Sequence, residues 1–167
     1  MEQIQKIDIA VQQLEDALSA YFGGRYHSAT VLAGAAEQLL AGYVLKKGLK
    51  PAWSQMRSAI TKIANGLRQR SGAPERVTED QIGSLMNHAY NNSKHAGTND
   101  HTVCMNPKFE AAEIIDRVIS NFDALSGSLD LKLPILPLAQ RFVQEYAEDT
   151  TVESGATELL DPASGTP

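Results

Sequence analysis

The chain has one cysteine, Cys104, in 167 residues. That excludes an intramolecular disulfide and fits a reducing compartment. With no evident base or cation beside it in sequence, Cys104 reads as inert rather than nucleophilic. Aromatic residues are scarce at 6%, so the stacking platforms that grip single-stranded nucleic acid are not apparent. No run approaches the roughly 20 contiguous apolar residues of a membrane span. The opening MEQIQKIDIA carries acids and amides where a secretory leader carries a basic start and an apolar block. No Cys-x-x-Cys or His-Glu-x-x-His spacing is present, so neither a metal centre nor a cofactor is expected. These gaps point to a cytoplasmic protein without a membrane partner.

Bases are also missing from the last part of the chain. After Arg141 there is no Lys or Arg, only the acids Glu145, Glu148, Asp149, Glu153, Glu158 and Asp161. The formal charge of −5 therefore sits at the C-terminal end, and the rest is close to neutral. Acids are missing elsewhere. Lys46 to Arg76 holds eight of the fifteen bases against the single acid Glu75. Such a block is either the electrostatic footprint of a nucleic-acid site or a solvated helix screened by the acidic tail.

What is present is helical periodicity, with no convincing alternation at period two. Ile4, Ile7, Val11, Leu14, Leu18 and Tyr21 stripe a first helix from about Gln3 to Phe22, stopped by Gly23-Gly24. A second runs from about Tyr26 to Lys47. Pro51 opens a third, with Trp53, Met56, Ile60, Ile63 and Leu67 inward. Thr78, with Gln81 three residues on, has the form of a capping box. It starts a fourth helix that places Ile82, Leu85, Met86, Ala89, Ser93 and Ala96 inward and ends at Gly97. Asn106-Pro107 caps a fifth, with Phe109, Ala112, Ile115, Ile119 and Phe122 inward. A short sixth helix spans Leu138 to Tyr146. The expected architecture is an all-α antiparallel bundle of four to five main helices plus a short C-terminal helix. It forms one domain over residues 1–148, with a disordered acidic tail over 149–167.

Two features call for more than packing. The second helix is apolar or small nearly all round, and between Arg25 and Lys46 its only charge is Glu37. A carboxylate in that setting needs a partner, since burying an unpaired charge costs several kcal/mol. Lys94 and His95 on the fourth helix are the expected partners. There, His88, Asn91 and His95 are spaced three and four residues apart on one face, with Lys94 about 100° round the helix. A histidine near a helix C-terminus is favoured in its protonated form. His95, Lys94 and Asn91 could thus abstract a 2′-hydroxyl proton and steady a phosphate, as a ribonuclease requires.

The phrases GGRYHSATVLAGAAEQLL and NNSKHAG, together with a helical bundle, resemble the HEPN superfamily, over roughly Ile4 to Leu125. The likeness is to its small uncharacterised bacterial members with an Asn-x-x-Lys-His motif. The resemblance implies a homodimer whose motifs face each other across a shared groove, RNA or a protein as partner, and a bacterial defence or toxin–antitoxin role. Its nuclease members carry an Arg separated from the histidine by four to six residues. Here residues 88 to 90 are His, Ala and Tyr, so Lys94 or the basic third helix would have to replace that Arg. On this reading His95, Lys94 and Asn91 form the candidate catalytic set. Glu37, His88, Arg57, Arg68 and Arg70 form the binding set, the three arginines holding phosphates. Two rivals stand beside it. One is a metal-assisted hydrolase using His88, His95, Asp100 and His101. The other is a structural or dimerisation network of Glu37, Asn91 and His95, because buried polar groups must find partners.

Overall fold

The computed structural model describes residues 3–73, 75–88, 90, 91, 102, 104–127 and 133–156, the last ten as backbone. It is an all-α bundle, with no strand among the described residues. The helices are α1 (Lys6–Phe22), α2 (Tyr26–Lys46), α3 (Ala52–Arg70), α4 (Glu79–Met86), α5 (Pro107–Ser126) and α6 (Pro137–Ala156).

The turn between α1 and α2 is short because Gly24 takes a left-handed φ of 72°, a conformation without steric cost only for glycine. The backbone N–H of Arg25 then donates to the Ala20 carbonyl at 2.8 Å, closing the helix end. α2 lies between α1 and α5. Ala10, Leu14, Ala17 and Leu18 of α1 meet Ala29, Ala33, Ala36 and Leu40 of α2 in the core, and the alanines let the two backbones approach closely. From α5 come Ile114, Ile115, Val118, Phe122 and Leu125, all buried. α6 packs on α1 and α5 through Phe142, which is buried and meets Tyr21 edge-on at 5.3 Å. The guanidinium of Arg141 lies 4.1 Å over the Phe22 ring.

α3 and α4 form a hairpin at the side of this core. Its connecting loop is closed by Asn65, whose Nδ2 donates to the Val77 carbonyl at 3.0 Å while its Oδ1 accepts the Val77 N–H at 2.9 Å. The capping box is present as read from the sequence: Thr78 Oγ1 accepts from the Gln81 N–H, and Gln81 Oε1 accepts from the Thr78 N–H. Asn106 Oδ1 likewise accepts the Phe109 N–H at the start of α5.

Several expectations are corrected. Ile4 precedes α1 and is exposed. α3 buries none of its 19 residues, and Ile63 and Leu67 are 62% and 59% exposed. The reason is that, among the described residues, its main helix neighbours are α4 and an edge of α5. α4 ends at Met86, and the backbone turns at Asn87 before it is helical again at His88, Tyr90 and Asn91. Gly83 faces α3, where it lies against Arg57 and Trp53. Leu85, two residues and about 200° further round, therefore points outward and is 74% exposed. Phe109, in the first turn of α5, is also mostly exposed. α6 runs ten residues past the expected end at Tyr146. Ala89, Ser93 and Ala96 lie outside the described residues, as do 157–167 of the expected tail.

Candidate functional site

Glu37 is the natural starting point, because α2 carries it into the α2–α5 interface. Its partner is Arg117 of α5. Arg117 Nε donates to Glu37 Oε1 at 2.8 Å and the NH2 nitrogen to Oε2 at 3.2 Å, a fork-on-carboxylate pairing. The side chains are only 5% and 13% exposed. The Arg117 guanidinium also lies 4.7 Å from the Trp53 ring centre, a favourable cation–π contact. Trp53 is therefore half-buried as a lid on the ion pair rather than a core residue. Among the described residues the partner of Glu37 is thus Arg117; Lys94 and His95, the expected partners, lie outside the described residues. So do Asp100 and His101 of the metal reading.

One turn further along α5, Asn121 is buried, and its Oδ1 accepts the Ala52 N–H at 2.8 Å. Ala52 is the first residue of α3, so this bond and the Trp53 contact dock the start of α3 on α5.

The return of the chain after α4 places Tyr90 inward. Its ring fills the space over Gly34 of α2, where a methyl group would overlap the phenol. Tyr90 is buried, which turns His88 and Asn91 to the exposed side. Asn91 and Glu37 are thus not brought together. Beside Tyr90 lies a cavity of about 280 Å³, lined among others by Asn87, Phe109, Glu110, Glu113 and Arg117.

This cavity is acidic at its wall. The Glu110 carboxyl is pushed above the usual range by burial and by the neighbouring Glu113, against the pull of Arg117. Asp116 is raised in the same way, burial first and Glu113 second. Tyr146 of α6 donates its hydroxyl proton to Glu113 Oε1 at 2.7 Å. Burial and that bond hold the Tyr146 phenol above its ordinary value. Raised folded-state values make the carboxyls stabilising below the ordinary carboxylate range, and the benefit fades as pH rises through the folded value. Asp116→Asn should accordingly raise the midpoint of thermal unfolding at pH 7 while leaving it nearly unchanged at pH 3. A lower midpoint at pH 7 would contradict the sign of the shift.

The binding arginines fare differently from one another. Arg57 faces Glu79 and Asp80 of α4, with nitrogen–oxygen distances of 3.3 and 3.7 Å. Arg68 Nε donates to the Glu75 carbonyl at 2.7 Å. Both therefore serve the hairpin's own closure. Arg70, in the last turn of α3, is exposed. The described part of the site brings together Glu37, Arg117, Trp53, Tyr90 and the α5 carboxylates. It does not gather the three arginines around His88 and Asn91. A phosphodiester in the cavity would meet Glu110 and Glu113, which repel it.

The sequence reading missed Arg117. The signal was available: a lone cation between Ile114, Ile115 and Val118, on the inward face of α5, is the counterpart that a lone inward carboxylate requires. No family model, no curated protein and no solved structure matches the chain.

Proposed function

We propose that this chain is a HEPN-like helical interaction protein that works as a cytoplasmic homodimer, and that its polar seam is not a ribonuclease centre. One observation carries the reading. An 18-residue window of α2 has a mean hydropathy of 1.2, yet 39% of it is buried. By length and composition α2 is apolar enough to cross a membrane; small residues and Glu37 interrupt the run, so no contiguous stretch shows it. Among the described residues its outer side is exposed along a stripe of Val31, Gln38 and Leu45, with Ala35 and Gly42 half-buried between them and no charge in the stripe. Leu45 is 62% exposed, and among the described residues nothing lies within 4 Å of a side chain added at Gly42.

A second copy is the occupant that fits. In a two-fold interface each patch meets itself, so a charged face repels its own copy. The outer face of α1 carries Asp8, Glu15 and Asp16, and that of α3 carries Lys62 and Arg70. The α2 stripe is free of that penalty. The engagement of Glu37 by Arg117, and of Arg57 by Glu79 and Asp80, supports the non-catalytic side of the reading. A bacterial defence or toxin–antitoxin role rests on the resemblance to the HEPN superfamily.

Sedimentation equilibrium tests the proposal. Wild type should show twice the chain mass, and Leu45→Glu the mass of one chain with an unchanged helical circular dichroism spectrum. A wild type that stays monomeric at about 100 µM, a concentration far above weak-dimer affinities, would refute the dimer. Cleavage of single-stranded RNA by wild type, abolished in His95→Ala, would refute the non-catalytic reading.

A further inference from the structure

α3 is unusual in the described fold: 19 residues without an acid, four of them bases, and no side chain buried. Two of the four bases, Arg57 and Arg68, are used inside the hairpin. The other two, Lys62 and Arg70, are exposed on the side away from α4. At about 100° per residue, Gln55, Ala59, Lys62, Gly66, Gln69 and Arg70 share that outward face, and all six are exposed. Arg76 extends the positive charge past the end of the helix and is exposed as well.

Gly66 adds an independent observation. Glycine inside a helix is unfavourable relative to alanine, a cost that a close approach to the backbone by another molecule can offset. Among the described residues nothing does so, since none of their atoms lies within 4 Å of a side chain added there. The small residue therefore leaves room for a molecule that is not part of the fold.

We infer that the outward face of α3 binds the backbone and major groove of double-stranded DNA. Cations on an acid-free face attract phosphates and release counterions on binding. The amide of Gln69 is of the type that reads base edges, while that of Gln55 donates to the Lys50 carbonyl at the start of the helix, and Ala59 and Gly66 let the helix seat. The ridge is a convex α-helix, which the major groove of B-form DNA admits. The deep, narrow major groove of A-form RNA does not. The low aromatic content argues against a single strand, which is held by stacking. α3 is a different helix from the α2 stripe, so this inference stands or falls separately from the dimer.

The test is fluorescence anisotropy of a labelled 20-base-pair DNA duplex against the full chain, from low to moderate salt. Wild type should bind, with an affinity that falls steeply as salt rises. Lys62→Glu with Arg70→Glu should weaken binding at least tenfold and flatten the salt dependence, by a log–log slope of about 0.9 for each phosphate contact removed. Lys6→Glu with Arg25→Glu, of equal charge change at the start of α1 and just after its end, should leave the affinity within a factor of about three of wild type, reflecting only the screened long-range field. Gly66→Leu puts a side chain into open solvent, so it should fold normally and still lose binding. No binding by wild type at low salt would overturn the inference. So would equal binding by Lys62→Glu/Arg70→Glu, or tighter binding to an RNA duplex of the same sequence.

Discussion

Arg117→Ala should lower the stability of the chain by about 3–5 kcal/mol, the range found when one member of a buried ion pair is removed. The loss is large because Glu37 stays behind. Its carboxylate would sit between α2 and α5 without the two donors at 2.8 and 3.2 Å that satisfy it. The Trp53 ring would also lose the cation beneath it. Since domains of this size are stable by only about 5–15 kcal/mol, the variant should be partly unfolded at 37 °C. Urea unfolding followed by circular dichroism measures the loss. The double variant Glu37→Leu/Arg117→Met should regain most of it, because an apolar pair of similar volume leaves no charge stranded. A single-variant loss below about 1 kcal/mol would place the pair among the solvent-exposed bridges, which contribute little.

The second large effect concerns Gly34. In an exposed helix, glycine to alanine is stabilising by up to about 1 kcal/mol. At Gly34 the sign reverses, because the added methyl would overlap the buried Tyr90 ring. Gly34→Ala should destabilise by about 1–3 kcal/mol, as overpacked cores do. Tyr90 would be driven outward, and the Asn87–Asn91 segment with it. Gly66→Ala is the internal comparison: it lies in open space and should raise stability. Adding Tyr90→Leu to Gly34→Ala should restore most of the loss. Tyrosine fluorescence and the urea midpoint together decide the matter. If Gly34→Ala were as stabilising as Gly66→Ala, the close approach of Tyr90 to α2 would be refuted.

The sequence made the helices legible because their signals are local. Thr78 with Gln81, Asn106 with Pro107, and the glycines after Phe22 and Lys46 each act on their own helix end. The faces were less legible. Periodicity says that Ile63, Leu67 and Leu85 lie on an apolar side, but not whether another helix is there to cover it. For α3 and α4 none is, among the described residues. At the candidate site Glu37 needs a partner, and the one described, Arg117, stands 80 positions away. No short motif spans that interval. Lys94 and His95 are the expected partners because they lie on a helix that should pack nearby, whereas Arg117 is flanked by ordinary core residues. The arginines were read from charge alone, which does not distinguish a side chain aimed at solvent from one folded back on Glu79 or on the Glu75 carbonyl.

A helix that is apolar around most of its circumference is nearly degenerate in rotation. Turned about its axis by one residue step, α2 would still present alanine, leucine and valine to α1 and α5, so greasy contact alone selects its azimuth poorly. Two point constraints remove the degeneracy. The forked bond to Arg117 fixes where Glu37 must point, and the void over Gly34 accepts Tyr90 at one angular setting. They sit three residues apart, on neighbouring parts of the circumference, and act as a keyway on a shaft. The orientation of the solvent-facing side of α2, about a quarter-turn further round, is thereby set from the inside. Whatever that side meets, it meets at an angle dictated by a carboxylate and a missing methyl group.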